Sequence, residues 1–329
     1  MTIFLWLGFI AFVFFMLALD LGVFHRRAHQ VNVREAAIWT VVWVATALLF
    51  NAGVYWMYEH NWLGINTTAG VALTGREAAL QFFTGYVIEK SLSLDNIFVF
   101  AVIFTFFGVP TTSQHRVLYW GILGALIMRG AMIAAGTALI QRFDWIIYVF
   151  GGLLLVTAIR MLFLREERMD PDRNLLVRLA RRCYPVSSGF DGQRFFTRVD
   201  GRRAITPLLL VLLVIESSDV LFAVDSVPAV FAVTRDPFLV FTSNVFAILG
   251  LRAMYFVLAG ALRLFRYLKT SLVFVLLYVA VKMLISQHVH IPVLYSLSAI
   301  CAILGMGFAA SLIANARERR GSMFGEHDS

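Results

Sequence analysis

The chain has 329 residues, 60% of them hydrophobic and 15% charged, with a mean hydropathy of +0.79. Soluble domains carry about 25% charged residues, so the composition excludes an ordinary soluble enzyme or nucleic-acid-binding domain and predicts an integral membrane protein. Two cysteines, Cys183 and Cys301, exclude a disulfide framework or a thiolate metal cluster.

A bilayer-spanning helix needs about 20 mostly apolar residues. Nine stretches qualify: 3–24, 36–57, 79–107, 117–140, 144–163, 205–233, 238–260, 268–287 and 291–314. The first has no small-residue cleavage site and is read as a retained helix. With the N-terminus outside, twenty-one Lys and Arg residues fall on the inner side and three (Arg76, Arg142, Arg235) on the outer side. That asymmetry predicts an N-out, C-in topology. The net charge of +8 lies mostly in loops facing anionic headgroups and calls for no nucleic-acid partner. The one sizeable loop, 164–204, is rich in Arg, and within it "NLLVRLARRC" (174–183) has the pattern of a short amphipathic surface helix.

Spans 3 to 5 reappear as spans 6 to 8. "EKSLSLDNIF" (89–98) aligns without gaps on "DVLFAVDSVP" (219–228). "ILGALIMRGAM" (122–132) resembles "ILGLRAM" (248–254), and "AIRMLF" (158–163) resembles "AVKMLI" (280–285). Span 3 runs inward and span 6 outward, so the units are inverted, a plan that transporters use to build ion sites near the midplane. The expected architecture is an all-α polytopic transmembrane bundle of about nine spans. Its parts are residues 1–78 (peripheral spans), 79–163 (first three-helix repeat), 164–204 (basic cytoplasmic loop), 205–287 (second repeat), and 288–329 (span 9 and a basic tail).

Five acids lie inside the apolar repeats: Glu89, Asp95, Glu216, Asp219 and Asp225. Each charge at mid-membrane costs at least ~2.5 kcal/mol, on the order of 10 kcal/mol for the five. Water, a bound cation, protonation or the intramembrane bases must offset that. Lys90, Arg129 and Arg252 are the expected charge partners, with Arg129 and Arg252 at matching repeat positions. Lys282 and Arg160 lie near span ends and are expected to snorkel.

Glu216 and Asp219, three residues apart, share a helix face. Asp225 lies opposite Glu216 on a straight helix, and Glu89 and Asp95 are ~120° apart. An unwound turn in each motif, helped in span 6 by Pro228, would bring the acids together and add carbonyl ligands. Asn96, Ser217, Ser226 and Asn244 supply further oxygen. An all-oxygen set suits Mg²⁺, Ca²⁺ or Mn²⁺. Metal and proton would compete for the same carboxylates. His288 and His290 form a two-His tract in a loop and are read as inert. No nucleophile–base pair or cofactor loop is visible, so an enzyme is not expected.

"GYVIEKSLSLDNIFVF" (85–100) and "ESSDVLFAVDSVPAVFAVTRDPFLVFTSNVFAILGLRAMYFVLAG" (216–260) closely resemble the TerC family of integral membrane proteins and, within it, the Alx type. The resemblance implies membership of the lysine-exporter superfamily, export of Mn²⁺ across the bacterial inner membrane, and a link to tellurium resistance. It places the family's intramembrane acids on Glu89, Asp95, Glu216, Asp219 and Asp225. The partners then expected are the lipid bilayer, a divalent ion as cargo and protons as counter-ion, with no tightly bound cofactor. The competing expectation is a membrane scaffold that delivers metal to, or assists, partner membrane or exported proteins, using the 164–204 loop as its contact surface.

Overall fold

The computed structural model describes residues 2–24, 33–67, 72–143, 145–163, 174–199, 201–259, 267–286, 288–289 and 291–325. The chain is an all-α bundle. Its helices are α1 (Thr2–Phe24), α2 (Val33–Glu59), α3 (Gly75–Phe107), α4 (Thr111–Arg142), α5 (Ile146–Phe163), α6 (Leu175–Cys183), α7 (Pro207–Phe231), α8 (Pro237–Ile248), α9 (Leu251–Ala259), α10 (Leu268–Ile285) and α11 (Val293–Gly325). The nine expected spans coincide in position with α1 to α5, α7, the α8–α9 pair, α10 and α11. By length and composition alone, five of the described helices qualify to cross a membrane, or six with α8–α9 taken as one bent span. The apolar parts of α1 and α10, Phe4–Leu19 and Thr270–Ile285, are shorter. Large apolar side chains such as Phe4, Leu49, Phe106, Ile127 and Phe163 stand exposed around the bundle. Such a surface is tolerable only where the surroundings are themselves apolar.

Local signals explain the helix ends that frame the centre. Thr74 and Glu77 form a reciprocal capping box at the start of α3, and Gly108, with φ 62°, closes it. Asp236 caps α8 by accepting from the Phe238 and Leu239 N–H groups, and Pro237 fills the first helical position.

Both acidic motifs lie in unbroken helix. α3 and α7 run straight through the positions where an unwound turn was expected, and Pro228 falls three residues before the end of α7 without interrupting it. The expectation of a break there is corrected. Pro228 has no N–H to offer the Val224 carbonyl, four residues back, and α7 continues past that one missing hydrogen bond to Phe231. The chain breaks in the next span instead. α8 stops at Ile248, Leu249 turns extended, and Gly250 takes φ 82° before α9 starts, with a 41° bend between the two halves.

Packing exchanges helices between the two sequence units. α3 lies against α7 and α8, α4 against α7, and α5 against α10 along its length. Small residues set these approaches. A Cβ at Gly85 of α3 would press on Ser243 of α8 and Val230 of α7, and one at Gly151 of α5 would meet Leu284 of α10.

In the 164–204 loop the helix predicted over 174–183 is present as α6, capped by Asn174. Val177 is its buried face, while Leu175, Leu176 and Leu179 are exposed beside Arg178, Arg181 and Arg182. A hairpin of β1 (Phe196–Val199) and β2 (Arg202–Ile205), paired antiparallel, was not anticipated. Cys183 ends α6, Cys301 lies in α11, and both are free and exposed.

Candidate functional site: a charge network between four helices

Arg129, from the middle of α4, reaches into the contact of α3, α7 and α8. Its Nη1 makes an ion pair with Glu89 of α3. Its Nε and Nη2 donate to the two carboxylate oxygens of Asp219 in α7, at 3.2 and 3.1 Å, in a bidentate fork. Nη1 also donates to Ser226 Oγ at 3.3 Å and Asn244 Oδ1 at 3.2 Å. The two amides close the ring: Asn96 Nδ2 donates to Asp219 Oδ1 and Asn244 Nδ2 to Glu89 Oε2, both at 3.2 Å. None of these six residues is more than 3% exposed. A planar guanidinium suits this duty, because its fork satisfies two acceptors in fixed geometry. The core still holds two carboxylates against one guanidinium. It also holds two buried oxygens without a hydrogen-bond partner, Asn96 Oδ1 and Ser93 Oγ.

The remaining acids stand apart from this ring. Asp225, half-buried on α7, accepts from Thr157 Oγ1 of α5 at 2.8 Å. Glu216, also half-buried, presses its carboxylate against α4 at Gly124, where a Cβ would collide with it. Glu216 has no hydrogen-bond or ion-pair partner among the described residues. Asp95 is half-buried on α3. Among the described residues no three His, Cys, Asp or Glu side chains gather closely enough to hold a metal ion. Arg129 bridges Glu89 and Asp219 into one pair, and Asp225 and Glu216 lie outside it. The reason is the unbroken helices, which keep Asp225 and Glu216 on opposite sides of α7.

Of the expected charge partners, Arg129 takes two acids. Lys90 does not pair with a carboxylate: its Nζ donates to the backbone carbonyls of Ala247 and Leu249 at 3.1 and 3.5 Å. It thus caps the open C-terminal end of α8, where carbonyls and the helix dipole attract a cation. Arg252 is buried in α9, just past the break. Ser217 turns away from the acids, donating to Leu213 O and to Asn174 Oδ1 in front of α6. Lys282 does not snorkel freely but lines a cavity at the end of the bundle where α3 and α8 begin. In the connector before α8, burial pushes the Asp236 carboxyl up, while the Tyr58 hydroxyl and two backbone N–H groups pull it down. His288 is exposed, and His290 lies outside the described residues.

Sequence reasoning missed Thr157, Gly124 and the role of Gly250. Thr157 is a lone hydroxyl in "LLLVTAIR", and both glycines end the repeated "ILG" triplet, so a signal was present.

A helical membrane protein with a buried, salt-bridged centre is the class these observations define. The chain belongs to the TerC family: the family described as integral membrane protein TerC matches residues 74–320, which include every member of the charge network. An uncharacterized membrane protein of Myxococcus xanthus, STKORF319, is 54% identical over 309 residues, covering 94% of this chain and 92% of that one. A protein of Escherichia coli K12 named as a membrane-bound redox modulator, Alx, is 46% identical over 314 residues, covering 95% of each chain. An uncharacterized membrane protein of Rickettsia bellii is 34% identical over 94% of this chain and 97% of its own. No solved structure matches the chain.

Proposed function

We propose that the protein exports a divalent metal cation, Mn²⁺ first among Mn²⁺, Ca²⁺ and Mg²⁺, through its intramembrane carboxylates in exchange for protons. The bilayer is then a bacterial inner membrane, with the N-terminus outside and the C-terminus in the cytoplasm, as the distribution of basic residues favours. The observation that carries the proposal is the sharing of one guanidinium by two buried carboxylates: Glu89 and Asp219 both pair with Arg129, and none of the three is more than 3% exposed. Uncompensated carboxylate in such surroundings takes up either a proton or a metal ion.

In the observed state Arg129 sits where cargo would sit. A divalent ion reaches Glu89 and Asp219 only when Arg129 withdraws, and it then finds Asn96 Oδ1 and Ser93 Oγ as unused oxygen donors. Every available ligand is a hard oxygen, the set that Mn²⁺, Ca²⁺ and Mg²⁺ accept. Glu216 and Asp225, one on each side of α7, are the carboxylates from which an ion enters or leaves this pair.

Flux into liposomes tests the proposal. Purified protein is reconstituted with a Mn²⁺-quenched dye inside and a pH gradient imposed. Quenching is expected for the wild type and is expected to fall at least tenfold in Asp225→Asn and in Glu216→Gln. Equal flux in the wild type and both variants would overturn transport through these acids.

A second function has a specific observation behind it. Relatives at 46% identity are named as redox modulators, and α6 and the hairpin expose Leu175, Leu179 and Phe196 amid arginines. A scaffold that supplies metal to partner proteins would use that surface. Deleting 174–204 abolishes a scaffold's activity and leaves liposome flux largely intact.

A further inference from the structure

At the end of the bundle where α3 and α8 begin and α7 and α10 end lies a cavity of about 840 Å³. That volume is within the ordinary range for small-molecule sites, about 300–1,000 Å³. Five charged side chains line it: Arg76, Glu77, Arg235, Asp236 and Lys282.

The two acids are already committed. Glu77 accepts from the N–H and the hydroxyl of Thr74 in the capping box of α3. Asp236 accepts from the Tyr58 hydroxyl at 2.6 Å and from two N–H groups at the start of α8. Both carboxylates hold helix ends, where negative charge is favoured by the helix dipole.

The three cations are not committed. Arg76, Arg235 and Lys282 have no hydrogen-bond or ion-pair partner among the described residues. Arg76 and Arg235 are exposed and reach water. Lys282 is 8% exposed over the residue as a whole, and its ammonium is not among the buried side-chain nitrogens that lack a partner, so it opens on the cavity. Its three donors are free, among the described residues, for an anion held in that space.

We propose that this cavity is an anion site, taking a phosphate-type oxyanion with Lys282 at its base and Arg235 and Arg76 at its mouth. The shared chemistry is the tetrahedral oxyanion, carried by a free phosphate compound or by the headgroup of an anionic lipid. The cavity exceeds the volume of inorganic phosphate and leaves room for an organic portion against the apolar lining, which includes Phe231 and Ile147. The site is separate from the carboxylate network. Phe231 is six residues beyond Asp225 on α7, about 9 Å along the helix, and packs on Phe150. The proposal does not rest on metal export.

The full chain in phosphatidylcholine nanodiscs provides the test. The probes are inorganic phosphate and short-chain phosphatidylglycerol, each measured by equilibrium binding. One saturable site per chain is expected, competed by sulfate. Affinity falls about tenfold or more in Lys282→Met, as for the loss of a charged hydrogen bond. It is retained in Lys282→Arg. Phosphate binding that phosphatidylglycerol does not displace identifies a free anion. Phosphatidylglycerol binding with phosphate silent identifies a lipid headgroup. Wild-type protein that binds neither probe overturns the proposal, as does Lys282→Met binding as tightly as wild type. Should Lys282→Met not fold, Arg76→Gln with Arg235→Gln, both at exposed positions, must weaken binding; unchanged affinity there also overturns it. Flux is not measured, so failure of this site leaves export standing, and the reverse.

Discussion

Arg129 ties four helices together at one side chain: it leaves α4 and engages Glu89 of α3, Asp219 and Ser226 of α7, and Asn244 of α8. Removing it strands two buried carboxylates. Breaking a buried ion pair from one side costs about 3–5 kcal/mol, so Arg129→Met is expected to lower the thermal midpoint of the purified protein by several degrees or more. Adding Glu89→Gln removes one of the stranded charges and is expected to recover part of the loss; a double variant no more stable than Arg129→Met would show that the ion pair carries little of the energy. Asp225 differs in kind. It is half-buried, and its hydrogen bond among the described residues is to one hydroxyl, so Asp225→Asn is expected to cost less than about 1 kcal/mol of stability while lowering flux at least tenfold. The five acids were legible in the sequence as carboxylates inside apolar runs, with Arg129 among their expected partners. The locking of Glu89 and Asp219 together by Arg129 was not. It depends on which way α7 faces, and an acid spacing read on one helix does not report the neighbour that reaches across.

At the scale of elements, the same triplet has two structural fates. "ILG" at 122–124 lies inside the unbroken α4, and Gly124 admits the Glu216 carboxylate; "ILG" at 248–250 ends α8, and Gly250 turns left-handed. The break was expected near Pro228, since proline removes a helical hydrogen bond. α7 continues past the one hydrogen bond, to the Val224 carbonyl, that Pro228 removes, whereas a mid-span glycine opens a helix wherever its carbonyls find other donors. Lys90 is that donor. Two changes probe it. Gly250→Ala meets both the left-handed φ, at about 1–2 kcal/mol, and the ring of Trp43, which stands 2.6 Å from the position a Cβ would take. Trp43→Ala in that background removes the ring but keeps a Cβ 2.7 Å away, and is expected to relieve only part of the steric cost. Lys90→Met leaves the Ala247 and Leu249 carbonyls uncapped, and faster amide hydrogen exchange is expected over 249–254, on either side of the bend. Unchanged exchange there would mean that Lys90 does not hold the break.

For the whole molecule, the helical class and the order of spans were legible because hydropathy and length decide them. The hairpin in the basic loop was not anticipated, although "VDGR" has the Asp-Gly turn that favours two-residue hairpins; the surrounding arginines masked the alternation. Which end of the bundle faces which side rests on charge distribution, and the two native cysteines make it measurable. Cys301 sits in the middle of α11, in an apolar stretch, and is replaced by Ser. Cys183 then remains, exposed at the end of α6. The N-out, C-in arrangement places α6 in the cytoplasm, so a membrane-impermeant maleimide is expected to label Cys183 in inside-out vesicles and to leave it unlabelled in intact cells or right-side-out vesicles. A cysteine introduced at Val289, exposed between α10 and α11, is expected to show the opposite pattern. Because α10 separates the loop after α9 from Val289, the pair of sites brackets three intervening spans, α7, α8–α9 and α10. Opposite labelling requires an odd number of crossings between them. Labelling from the same side would reduce that number to an even one and overturn the count of three crossings between α6 and α11. That single outcome would also reverse the side to which the Lys282 cavity opens relative to α6, and with it the direction in which any ion leaving the carboxylate network must travel.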